Sequence, residues 1–187
     1  MFGAQTQLSF YQNTGFELGS QKTENMSSHF YRRQILHRQL GISDSDFLGK
    51  HILEVGPGAG HNSLYFSMLN PRRLTLIEPS HSAYAVLQKL FTKNNISPDI
   101  VQIEEVEIEK FRVLEKYDLI ICEGLIGTSG YLKPEILINS VLDCANTPAS
   151  LMLTCSDYQA ALSEMLRRLL GYEICVSNNN LDDKVSL

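Results

Sequence analysis

The segment Ile52-Leu53-Glu54-Val55-Gly56-Pro57-Gly58-Ala59-Gly60 restricts the fold more than any other part of the chain. A short, mostly apolar run leads into three glycines separated by single residues, and a helix-like stretch begins near His61. A turn that tight requires backbone free of the Cβ restriction, and a ligand lying against backbone requires side chains out of its way. The helix behind the turn points its N-terminal N–H groups at whatever rests on the loop. A second apolar run, Leu74-Thr75-Leu76-Ile77, ends on an acid, Glu78, 18 residues after the last glycine (78 − 60). Two buried strands, the first ending in a glycine turn and the second on a carboxylate, describe a pocket for a nucleoside-bearing cofactor.

The spacing narrows the choice of cofactor. A dinucleotide site reads G-x-G-x-x-G, with pyrophosphate on the helix terminus. Here the pattern is G-x-G-x-G, and His61 stands where the third glycine of the dinucleotide pattern would fall. Glu54, two residues before the first glycine, would repel a pyrophosphate but suits a cation.

Glu54-Val55-Gly56-Pro57-Gly58-Ala59-Gly60 resembles motif I of the class I S-adenosylmethionine-dependent methyltransferases. Glu78 resembles that family's acid at the end of the second strand, which holds the ribose hydroxyls. Val101-Gln102-Ile103-Glu104-Glu105 resembles its third strand, and Tyr117-Asp118-Leu119-Ile120-Ile121-Cys122 its fourth. The resemblance covers about residues 48–176. It implies a doubly wound, mostly parallel Rossmann-like α/β sheet with helices on both faces. It also implies S-adenosyl-L-methionine as cofactor, held by Glu54, Gly56, Pro57, Gly58, Gly60, Glu78, Glu104, Glu105 and Cys122. For Glu104 and Glu105 a second reading stands beside this one, because the acidic run from Glu104 to Glu109 has the character of a solvated face.

The rest of the chain reads as alternating strands and helices, as a parallel sheet requires. Helical segments are expected over Asn62–Leu69 (stopped by Asn70-Pro71), from Ser80 or Ser82 to about Asn94, from Pro134 to about Cys144, and from Asp157 to Gly171. Strands are expected at about 73–78, 99–104, 117–122, 150–155 and 172–176. A glycine-bearing loop is expected from Glu123 to Tyr131. In such sheets ligands bind beyond the carboxyl ends of the strands. After strand six only Ser177 to Leu187 remains, so the last strand is expected to be short or absent. A homodimer completing that edge, or a longer native chain, would account for this.

Residues 1–48 form a separate N-terminal helical extension, and residues 49–187 form the cofactor-binding domain. Ser27 or Ser28 is expected to cap a helix from about His29 to Leu40, with Phe30, Ile35, Leu36 and Leu40 as its apolar side and Arg32, Arg33, His37 and Arg38 making it locally basic. By family analogy the extension is a lid, with Tyr11, Phe16, His29, Tyr31 and Arg33 as pocket residues. A packing helix with a solvated basic face is the plainer alternative.

A chain of 187 residues, 43% hydrophobic and 20% charged, can bury a full core. Its net charge of −5 argues against nonspecific nucleic-acid binding, which needs a positive footprint. Cys122, Cys144, Cys155 and Cys175 lack any C-x-x-C pair, which fits thiols in a reducing, cytoplasmic setting better than disulfides or zinc. No segment has the pattern of a signal peptide or the length of a membrane span.

The expected activity is methyl transfer to a small-molecule oxygen, nitrogen or sulfur acceptor. A hydroxyl acceptor would need a base, and His61, His81 and Glu123 are the candidates near the strand edge. The alternatives are an aminopropyltransferase-like enzyme and a non-catalytic S-adenosylmethionine-binding module of a larger protein. No metal constellation is visible.

Overall fold

The computed structural model describes residues 25–126 and 134–155. The expected helix from Asp157, strand six and the unfinished last strand lie outside the described residues, as do Tyr11 and Phe16. The described chain begins with α1, Met26–Gln39. It continues through β1 His51–Val55, α2 His61–Ser67, β2 Arg73–Ile77, α3 His81–Lys93, β3 Val101–Glu104, β4 Tyr117–Ile126, α4 Pro134–Cys144 and β5 Ala145–Cys155.

The five strands form one parallel sheet in the order β3-β2-β1-β4-β5. The order in which strands are added reverses between β1 and β4, so the crevice at their carboxyl ends is the place this topology reserves for a ligand. Both faces of the sheet are covered. Ile52, Leu74, Leu76, Leu119 and Ile121 pack against Tyr65 and Phe66 of α2 and Leu87 and Phe91 of α3. Leu53, Val55, Ile77, Ile120 and Cys122 pack on the other face with Ile108, Leu137 and Val141. Side chains alternate along a strand. Glu54 therefore shares the face of Ile52, and Glu123 that of Ile121.

Two expectations change. Glu123 and Gly124 belong to β4, which runs to Ile126 and pairs with β5 as far as Cys155; they are not the start of a loop. Helix α1 is capped by Asn25, whose Oδ1 accepts from Ser28 N at 3.0 Å, and not by Ser27 or Ser28.

The apolar side expected for α1 holds only at Phe30, which packs against Tyr65 and the core. Ile35, Leu36 and Leu40 are exposed, while His29 and His37 are buried. Among the described residues no helix is long and apolar enough to cross a membrane.

Candidate functional site

The glycine loop leaves β1 with Gly56, Gly58 and Gly60 all in the left-handed region, at φ +70°, +57° and +77°. Their reasons differ. A Cβ on Gly56 would lie 2.8 Å from a Leu125 methyl, and one on Gly60 only 2.4 Å from a Leu87 methyl. Both glycines thus face the protein, and their absent side chains let the loop pack on β4 and α3. The loop is fixed to β2 by Gly56 N–H donating to the Ile77 carbonyl at 2.9 Å.

Glu78 sits one residue past β2, 7% exposed. Its carboxylate accepts from Ser80 N–H at 2.9 Å and from Gly58 N–H. Burial raises its pKa and the two backbone donors oppose the rise. A carboxylate is therefore held directly against the glycine loop, as the sequence spacing requires. Glu104, at the end of β3, is half-buried, bonded by Gln102, and its carbonyl accepts from Glu78 N–H. Glu105 is exposed and pairs with His81 at 3.0 Å, so both acid and imidazole lie on the surface.

Glu54 is 3% exposed. Burial pushes its carboxyl up to about 8; Glu123 adds to the rise, while Ser63 and Arg33 oppose it. Ser63 Oγ is close enough to Glu54 to matter electrostatically. Even so, neither Ser63 Oγ nor Glu54 Oε2 completes a well-formed hydrogen bond. A buried acid with an unpaired oxygen beside the glycine turn is the feature most in need of a partner here.

Glu123, 17% exposed, anchors a polar network on the same face of the sheet. Arg33 of α1 donates to both its oxygens at 2.7 Å, and Asn62 Nδ2 donates to Oε2 at 3.1 Å. Asn62 Oδ1 in turn accepts from His29 Nε2 at 3.0 Å. The His61 ring stands 6.2 Å from that of His29, edge to face. The fold thus brings Glu54, Gly58, Glu78 and Glu123 to one edge, with His61 at its rim.

Cys122 is a correction. It is fully buried on the opposite face, and burial pushes its thiol up to about 12, so its side chain is core. Asn62 and Ser63 were missed: short polar residues at a helix start read as capping groups until their partners are seen. Among the described residues no cluster of His, Cys, Asp and Glu suits a metal ion.

No family model matches the chain. Over 103 residues it is 32% identical to histone-arginine methyltransferase CARMER of Anopheles gambiae, an alignment covering 54% of this chain and 16% of that protein. The fold matches that of coclaurine N-methyltransferase, solved with N-methylheliamine and S-adenosylhomocysteine (TM-score 0.53, 20% identity, 74% of this chain and 38% of that one). It also matches protein arginine methyltransferase 10 of Arabidopsis thaliana (TM-score 0.54, 20% identity, 72% and 38%). The chain spans less than a third of the length of the curated relatives it matches, between 16 and 28%. The resemblance read from motif I therefore holds at the level of fold. The chain has the Rossmann-like fold of the class I S-adenosylmethionine-dependent methyltransferases.

Proposed function

We propose that the protein is an S-adenosylmethionine-dependent methyltransferase, and that the glycine loop with Glu54 and Glu78 is its cofactor site. The observation that carries this reading is Glu78, a nearly buried carboxylate oriented by Gly58 and Ser80 N–H groups, with oxygen lone pairs left for a diol. The unpaired Glu54 Oε2 fits a cationic end group at the other side of the loop. Bound cofactor would supply an electrophilic methyl carbon on a sulfonium.

What this chain contributes is position and electrostatics. Glu78 and Gly58 fix the nucleoside end. Glu54, drawn toward ionisation by a neighbouring cation, holds the amino-acid end. Glu123, in the last half of β4, orients the acceptor and can take up the proton it sheds. Gly56 and Gly60 keep the loop seated on the sheet.

The first reading of the acceptor is a small molecule offering nitrogen, oxygen or sulfur. A second reading, a guanidinium, is favoured by one observation: Glu123 already binds a guanidinium, that of Arg33, through both oxygens. The names of the curated relatives support it. A screen offering amines, hydroxyls, thiols and an arginine peptide, with radiolabelled cofactor, separates the two readings. Label on none of these would leave the binding-module alternative standing.

Calorimetry with S-adenosylhomocysteine tests the site itself. Glu78→Ala should weaken binding by about 3–6 kcal/mol, the worth of two hydrogen bonds to a charged acceptor at about 1.5–3 kcal/mol each. Glu78→Gln, which keeps one acceptor, should lose less. Undiminished binding by Glu78→Ala would mean that the pocket lies elsewhere.

A further inference from the structure

Helix α1 seats itself largely with polar residues. Tyr31, Ile35, Leu36 and Leu40 face outward and are exposed. His29, Arg33 and His37, spaced by four residues, form a stripe that meets the domain, with Met26 and Phe30 packed on the core and Gln34 bonded to Asp44 beside it. His29 rests on Asn62, and Arg33 on Glu123. His37, 1% exposed, packs against the rings of Phe47 and Phe66 at 5.5 and 5.7 Å, and those two rings also stack on each other at 5.4 Å.

The hydrogen bonds fix which proton each ring carries. A guanidinium has donors only. Arg33 lies 3.1 Å from His37 Nε2, so that nitrogen must accept and the ring proton sits on Nδ1. Nδ1 is buried and has no partner. A second proton, on Nε2, would set two donors face to face, with no acceptor for either. At His29, Asn62 presents its carbonyl oxygen because its amide nitrogen serves Glu123. There too a second proton gains no acceptor in the network.

We propose that α1 is an acid-released gate over this edge of the sheet, seated while His29 and His37 are neutral and freed when they take up protons. That the edge it covers binds the cofactor rests on the function proposed above; the release itself does not.

The surrounding charges favour release. His37 is faced by Arg33 on α1, Tyr65 on α2, Asp44 in the turn before β1, and Glu123 on β4. His29 is faced by Arg32 and Arg33 on its own helix and by His61 on α2. Burial holds both imidazoles below their usual value of 6.5. Arg33 reinforces this at His37 against Glu123 and Asp44; at His29 the Asn62 bond opposes it, and the nearby cations reinforce it. A group depressed in the seated state takes up its proton more readily once released. The seat is therefore intact above 6.5 and is lost as pH falls toward the depressed values. Each histidine shifts the equilibrium toward release by up to about tenfold per pH unit in that range.

Hydrogen exchange on the full chain, corrected for intrinsic rates and read at about pH 7.5 and 5.5 on either side of the ordinary imidazole value, tests this. Amides of α1 should lose at least about tenfold in protection at the lower pH, while those of β1 and β4 keep theirs. The paired substitution His37→Phe and His29→Gln removes both titrations and keeps a ring against Phe47 and Phe66; it should abolish the pH response. Unchanged protection of α1 in the parent, or an equal loss in the paired variant, would overturn the proposal. An NMR titration of His37 in the parent is the second measurement. Its midpoint should lie below 6.5 and coincide with the loss of protection, and a midpoint at or above 6.5 would also overturn it. Calorimetry with S-adenosylhomocysteine at both pH values separates the two claims. A pH-released helix on a protein that never binds this ligand refutes the proposed function and leaves the gate.

Discussion

Glu54→Gln should make the free protein more stable and the cofactor complex weaker. The carboxyl is fully enclosed and its pKa stands at about 8 against an ordinary 4.5, with burial the first cause. The folded state therefore holds this proton more tightly than the unfolded chain does. Stability falls as pH rises from the ordinary carboxylate range to about 8, and is level beyond it. The cost of keeping this group buried is on the order of a few kcal/mol at neutral pH. A glutamine of the same shape never ionises, so denaturant titrations of Glu54→Gln should lose this slope. Its S-adenosylhomocysteine affinity should fall at least about tenfold, because a charge-assisted contact is gone. In the parent, affinity should rise between about pH 6.5 and 8.5 as the carboxyl ionises; in the variant it should not. A variant with the parent's pH slope would mean that Glu54 is not the enclosed acid described here.

Gly60→Ala should be among the most damaging small substitutions in the domain. The residue sits at φ +77°, and an added Cβ would meet the buried Leu87 at 2.4 Å and Leu90 at 3.1 Å. Left-handed backbone costs a non-glycine residue about 1–2 kcal/mol, and overpacking a core adds about 1–3. A loss of about 2–5 kcal/mol is expected, read from the shift in denaturation midpoint at constant m-value. Gly124→Ala is the control. It carries a similar φ of +71°, but a Cβ there meets nothing within 4 Å, so only the backbone term applies. Equal losses at both sites would show that contact with α3 is not what Gly60 avoids. At Gly58 the φ of +57° makes any side chain strained. A valine there would disturb the loop as well as any ligand on it.

The sheet was legible because its signals are local. Glycines in left-handed turns, acids at strand ends and apolar runs all follow from backbone geometry, and the edge from Glu54 to Glu78 came with them. From sequence alone, strand β4 ends at Cys122, because Gly124 and Gly127 resemble loop residues. Its extension to Ile126 depends on pairing with β5, which no local pattern encodes. Helix α1 was misread for a physical reason. Periodicity assumes that apolar residues turn inward, whereas here Phe30 does so and ring contacts around His37 and the Arg33–Glu123 pair take the place of Ile35, Leu36 and Leu40. Cys122 and Glu123 are adjacent in sequence, and the pleat sends them to opposite faces. Only alternation counted from Ile121 tells which one reaches the site.

Calorimetry of the unmodified protein with S-adenosylhomocysteine, run beside NAD, tests the central claim most directly. Saturable one-to-one binding of S-adenosylhomocysteine with no heat from NAD is the predicted result. Binding of NAD, or no binding of S-adenosylhomocysteine by a protein shown to be folded by circular dichroism, would contradict it.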